Sequence, residues 1–146
     1  MVKLEEYIIV KGDKKEVFNL LKNMHSFPTF MGYINSLKIT KHSPNRFTSD
    51  WNIKIDGVPV KWKEEDVIDE SALTIDFKMI EGDYSKYSGR WEVLQDSNSA
   101  KIKIIAEVDW GAPAFTNFSE VKKILFRKTR KAFKGMLLAI KRKVEH

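Results

Sequence analysis

Apolar and polar residues alternate along most of the chain, with helical spacing only near the start and at the end. From about Lys3 to Val10 the pattern is that of a strand. Asp13-Lys-Lys-Glu16 then has the spacing of a capping box, with Asp13 accepting from the third helical N–H and Glu16 reaching back. Val17, Phe18, Leu20, Leu21 and Met24 follow at helical spacing. Ser26-Phe-Pro28 stops that helix and can start a second, short one. A strand is expected from about Tyr33 to Lys41.

Arg46 to Ile55 alternates strictly, with Phe47, Ser49, Trp51, Ile53 and Ile55 on one face. Asp56-Gly57 is a strong two-residue hairpin signal, because both turn positions need positive φ. That turn fixes the register. Ile55 should pair with Val58, Ile53 with Val60 and Trp51 with Trp62. Ser49 should then face Glu64, and Phe47 should face Asp66. On the opposite face Asp50 meets Lys63, a favourable exposed pair.

Leu73, Ile75, Phe77 and Met79 alternate in a further strand, and Glu81-Gly82-Asp83 fits a three-residue hairpin loop. That loop pairs Phe77 with Tyr87, Ile75 with Gly89 and Leu73 with Trp91. Gly89 inside a strand points to a bulge or strong curvature. Asp96 to Ser99 makes another turn. Ile102, Ile104, Ala106, Val108 and Trp110 line one face of a last strand, which Gly111-Ala-Pro113 ends.

From about Phe118 to Val144 the chain reads as one helix about 40 Å long at 1.5 Å per residue. Its apolar stripe is Val121, Ile124, Leu125, Ala132, Phe133, Met136, Leu137, Ile140 and Val144. Gly135 interrupts it, at about 1 kcal/mol relative to Ala. The expected class is therefore α+β: one strand, two short helices, about six antiparallel strands and a long helix. A long sheet and one amphipathic helix bury both apolar faces only if the sheet closes over the helix.

Composition narrows this reading. At 146 residues, 42% apolar and 32% charged, the chain suits one globular domain spanning residues 1–146. It has no cysteine, which excludes disulfides, thiol catalysis and Cys-ligated metals. No apolar run approaches the ~20 residues of a membrane helix, and MVKLEEYIIV is unlike a signal peptide, so a cytoplasmic location is expected. The net charge of +6 is concentrated: from Gly111 onward 10 Lys/Arg face 2 Glu, a net +8 that leaves −2 for the rest. Lys122, Lys123, Arg127, Lys128, Arg130, Lys131 and Lys134 form the basic helix face. The favoured reading of that face is a solvated exterior. Attraction to anionic lipid or RNA is the alternative.

The order of elements and several motifs resemble the START-like, or SRPBCC, superfamily, in its polyketide cyclase/dehydrase and coenzyme-Q-binding branch. The carrying residues are Ser26-Phe-Pro-Thr-Phe-Met31, Thr48-Ser-Asp-Trp51, Asp56-Gly57 through Trp62-Lys-Glu-Glu65, and Glu81-Gly-Asp83 leading to Tyr87-Ser-Gly-Arg-Trp91. The resemblance implies a helix-grip fold: a curved antiparallel sheet of about seven strands around the C-terminal helix. It also implies an internal apolar cavity that holds a lipid, quinone or polyketide-like molecule. Fold alone does not choose among these. Members of the branch include aromatase/cyclases and proteins linked to ribosome association. Three functions follow as expectations: binding of a hydrophobic small molecule, cyclase-type catalysis, or a ribosome- or membrane-associated module using the basic helix.

The candidate cavity residues are Trp51, Trp62, Glu64, Asp66, Phe77, Tyr87, Trp91, Trp110 and Met136. Aromatic walls with a few polar groups suit a greasy ligand, although ordinary core packing uses the same residues. Glu64 and Asp66 present the sharpest question. Buried, either has a raised pKa and can act as a general acid or base. The favoured expectation is that both lie in water or at the cavity mouth, and a bulge could instead turn Glu65 inward. Arg90 should point outward. His25, His42 and His146 have no metal-ligand spacing. No cofactor and no complete catalytic machinery are expected.

Overall fold

The computed structural model describes residues 2–110 and 118–146, the positions 118, 119, 121 and 122 for backbone only. The expected break at Gly111-Ala-Pro113 therefore lies outside the described residues, as do the side chains of Val121 and Lys122. In chain order the elements are β1 (Val2–Lys11), α1 (Lys14–Lys22) and a 3₁₀ helix (Met24–Thr29). Then come β2 (Ile34–Ser43), β3 (Arg46–Ile55), β4 (Val58–Asp69), β5 (Thr74–Gly82), β6 (Lys86–Asp96), β7 (Ser99–Asp109) and α2 (Phe118–Glu145). The strands form one antiparallel sheet in the order β1-β7-β6-β5-β4-β3-β2. Only β1 leaves sequence order, because α1 and the 3₁₀ helix carry the chain to the far edge before the meander begins.

Local signals explain most of these elements. Asp13 caps α1, but its carboxylate accepts from Lys15 N at 3.1 Å, one residue earlier than the capping-box reading. Asp56 and Gly57 have φ of 50° and 82°, as the hairpin turn requires. The β3–β4 register is the expected one throughout: Trp51↔Trp62, Ser49↔Glu64, Phe47↔Asp66 and Asp50↔Lys63.

The β5–β6 hairpin differs. Phe77 pairs with Gly89 and Ile75 with Trp91, a slip of two residues from the expected register. Between β4 and β5 the pairing jumps from Lys63↔Glu81 to Glu64↔Met79, leaving Ile80 as an extra residue. That bulge keeps the last residues of β5 on β4, where Gly82 pairs with Trp62. The chain therefore turns later than a simple three-residue loop allows. A slip of two keeps every side chain on its own face, so the core list survives the change. Gly89 is required here: a Cβ would lie 2.0 Å from Ile105 O and 2.7 Å from the Phe77 ring.

The concave face of the sheet packs on α2, which buries Phe133, Met136, Leu137 and Ile140. Ile124, counted in the apolar stripe, is 44% exposed instead. Thr129 occupies the buried line in its place. β7 ends at Asp109, so Trp110 leaves the alternation that was to aim it at the core.

Candidate functional site

The β3–β4 hairpin builds the site. Trp51 and Trp62, paired across the ladder, stack with ring centroids 5.3 Å apart and planes 7° from parallel. Both are buried, and two buried indoles must find partners for their N–H groups. They find them two residues along their own strands. Trp62 Nε1 donates to Glu64 Oε1 at 2.6 Å, and Trp51 Nε1 donates to Ser49 Oγ at 2.9 Å. Ser49 in turn donates to Asp66 Oδ2 at 2.5 Å. Two tryptophans, one hydroxyl and two carboxyls thus form one buried polar patch.

The carboxyls are not at the solvent-exposed mouth that the sequence favoured. Glu64 is 3% exposed and Asp66 is fully buried, with Asp66 Oδ1 lacking a hydrogen-bond partner among the described residues. The bulge does not exchange Glu65 for Glu64: Glu65 points outward and pairs with Arg46 at 2.6 Å. The sheet curls around α2 instead of running past it, so the inner face of β4 is covered from Trp62 through Asp66, while Val58 beside the turn is exposed. Burial drives Glu64 well above the usual carboxylate range, and the neighbouring Asp66 charge adds to that. Burial also lifts Asp66 to about 6, against the lowering effect of the hydrogen bond it accepts from Ser49. Both carboxyls are thus shifted toward their protonated forms.

A small internal cavity of about 20 Å³ adjoins this patch, room for about one water. Trp51, Trp62, Glu64, Phe77, Tyr87, Trp91 and Met136 line it. Asp66 sits behind Ser49 and does not reach it. Trp110 lies elsewhere, in an outer groove of about 350 Å³ with Val58, Val60 and Leu125. Ile55, Tyr84 and Thr129 separate the two spaces, since each faces both.

Sequence reasoning missed Tyr84 and Thr129. Tyr84 follows the β5 bulge, in a segment that reads as loop, yet it stacks on Tyr87 at 5.0 Å and meets Trp62 edge-on at 5.7 Å. Burial pushes the hydroxyls of Tyr84 and Tyr87 upward, so both remain neutral donors. Thr129 gave no apolar signal, although the spacing from Thr129 to Phe133, Met136 and Ile140 is helical.

The sequence pattern of the family described as "Polyketide cyclase / dehydrase and lipid transport" matches residues 10–134. The chain belongs to that family. Among solved structures it is similar over 98% of its length to a protein from Thermus thermophilus, TTHA0849 (97% of that chain, 20% identity, TM-score 0.91). It is also similar over 99% of its length to the Zhui aromatase/cyclase from a Streptomyces species (93% of that chain, 13% identity, TM-score 0.90). A START superfamily protein from Mycobacterium smegmatis aligns with 98% of the chain (97% of that chain, 12% identity, TM-score 0.79). At these identities the likeness establishes the START-like helix-grip fold. Among curated proteins, sequence comparison finds no significant match.

Other candidate chemistry in this family member falls outside the cavity. Arg90 points outward, as expected, and forms a two-pronged pair with Asp76 at 2.6 and 3.2 Å. His42 contacts the Thr48 hydroxyl on the outer face. Among the described residues, no group of three His, Asp or Glu is arranged to hold a metal ion. No described helix is long and apolar enough to cross a membrane.

Proposed function

We propose that this family member binds a flat hydrophobic small molecule between the sheet and α2, with the molecule's polar end at Glu64. The observation that carries this reading is the buried carboxyl pair at an aromatic-lined cavity. A protein that needed only a solid core would gain nothing from burying the Glu64 carboxyl and an unpartnered Asp66 oxygen there. The closed cavity is far smaller than the ~300 Å³ of ordinary ligand pockets. The outer groove supplies the missing room: displacement of Tyr84 joins the two spaces. Affinity then comes from apolar area removed from water, at about 25 cal/mol per Å².

The test is calorimetric titration with 2-naphthol, a flat apolar molecule with one hydroxyl. Saturable one-to-one binding is expected. Glu64→Gln keeps a donor and acceptor in place and should bind within about threefold of wild type, whereas Glu64→Leu should bind about tenfold more weakly. Absence of saturable binding, or equal binding by Glu64→Leu, refutes the reading.

A second reading is favoured by one specific feature, a buried Glu64 that faces the cavity and is shifted toward its protonated form. In it, the protein dehydrates or cyclises a polyketide-like chain. Glu64 gives its proton to a departing β-hydroxyl and regains one from the α-carbon, so that one water leaves and a C=C bond forms. This predicts that Glu64→Gln retains 2-naphthol binding but loses turnover of a β-hydroxyketone probe. Equal turnover by wild type and Glu64→Gln removes the catalytic reading and leaves the binding one intact.

A further inference from the structure

A second groove, of about 410 Å³, runs along the other side of α2 beside the end of β3. Its apolar floor includes Ile55, Ala132 and Leu138, and Leu138 is 41% exposed. Among the described residues, its rim carries four lysines, Lys54, Lys128, Lys131 and Lys134, against a single carboxylate, Asp56. Lys128 and Lys131 both already contact Asp56, at 3.4 and 3.1 Å. One carboxylate cannot balance four ammonium groups, so the rim keeps an excess of positive charge.

Two further observations point to an occupant. The hydroxyl of Tyr33, at the groove, is buried and has no hydrogen-bond partner among the described residues. Burial pushes its pKa up, so it remains a donor in need of an acceptor. Gly135 faces the same ring. A Cβ there would meet nothing nearer than the Tyr33 ring at 3.7 Å and its hydroxyl at 3.8 Å, ordinary contact distances. Glycine in a helix interior is destabilising relative to alanine. Here no close packing requires it, and its effect is to leave space next to an unsatisfied donor.

We propose that this groove is a binding site for a soluble monocarboxylate with an aliphatic tail, its carboxylate held by Tyr33 and the lysine rim and its tail on Ile55, Ala132 and Leu138. The volume lies within the small-molecule range, and an anionic head with an apolar tail matches the charge and the floor together. A nucleic acid would need several exposed stacking aromatics, whereas Tyr33 is the one aromatic among the described lining residues. The proposal does not depend on what occupies the cavity at Glu64, although Ile55 and Ala132 form walls of both.

The probe is octanoate, followed by amide NMR on the full chain with 1-octanol as the uncharged control. Octanoate should shift the Ala132 and Gly135 amides saturably and bind at least about tenfold more tightly than 1-octanol, with the difference shrinking in high salt. Tyr33→Phe should weaken octanoate about fivefold while leaving thermal stability equal or higher, because the lost hydroxyl had no partner. Lys131→Gln with Lys134→Gln should weaken it by about tenfold. Gly135→Ala, whose methyl fits the fold, should weaken octanoate and raise the melting temperature. Equal affinity for octanol and octanoate overturns the proposal, as does unchanged binding in Tyr33→Phe and Gly135→Ala. Shifts confined to the Trp62 indole also overturn it. So does capture of phosphatidylglycerol vesicles by the lysine face without saturable octanoate binding.

Discussion

Burial shifts the Glu64 carboxyl toward its neutral form, and this makes the site measurable by pH. The folded-state values of Glu64 and Asp66 both lie above the ordinary ones near 4, so the native state binds more protons than the unfolded chain above that pH. Stability from this pair is fully present below about pH 4. It is lost as pH rises, through about 6 for Asp66 and through the raised value of Glu64. Exposed carboxylates such as Asp56 and Asp69 have the opposite shift, and their contribution is lost as pH falls through their lowered values. The stability maximum should therefore lie between about pH 4 and 5. Glu64→Gln removes one titration while keeping an acceptor for Trp62 Nε1. In urea unfolding, its loss of stability between pH 4.5 and 8 should be smaller than that of wild type. Identical slopes would show that Glu64 is ionised or exposed. Ser49→Ala orphans both Trp51 Nε1 and a second Asp66 oxygen, and should destabilise by about 2–4 kcal/mol. The pairing of Ser49 with Glu64 was legible in the sequence, because the Asp56-Gly57 turn sets it. Burial was not, because alternation says which face a residue is on and not how far the sheet wraps.

At the scale of elements, two glycines make opposite predictions. Gly89 sits where a Cβ would overlap Ile105 O, so Gly89→Ala should destabilise by more than about 4 kcal/mol or prevent folding. Gly135 meets only ordinary contacts, so Gly135→Ala should stabilise by about 0.5–1 kcal/mol in the same urea titration. A loss of stability there would mean that the helix needs the bare backbone. The β3–β4 hairpin shows what short-range signals determine: turn, register and both faces follow from ten residues on either side of Asp56-Gly57. The β5–β6 hairpin shows where they stop. Its register depends on the Ile80 bulge, which depends on how β5 lies on β4, a contact outside the hairpin. The same bulge brings Tyr84 into the aromatic cluster, and for that reason Tyr84 was invisible to local pattern. Trp110 was misplaced for a simpler reason: β7 ends one residue before it.

On the scale of the whole molecule, a sheet of seven strands and one long amphipathic helix allow few arrangements, and the helix-grip form follows from the need to bury both apolar faces. The volume left inside does not follow. It depends on how Phe133, Met136, Tyr84 and the paired tryptophans fill the space, and in the closed form they leave room for about one water. The central claim is that this nearly filled cavity opens to a ligand that reaches Glu64. Trp62 reports on it directly, since its indole N–H is bonded to that carboxyl, while Trp110 reports only the outer groove. The decisive measurement is the indole N–H NMR spectrum during titration with 2-naphthol. A saturable shift of Trp62, lost in Glu64→Leu, is the predicted result. A shift of Trp110 alone, or none at all, would contradict the account.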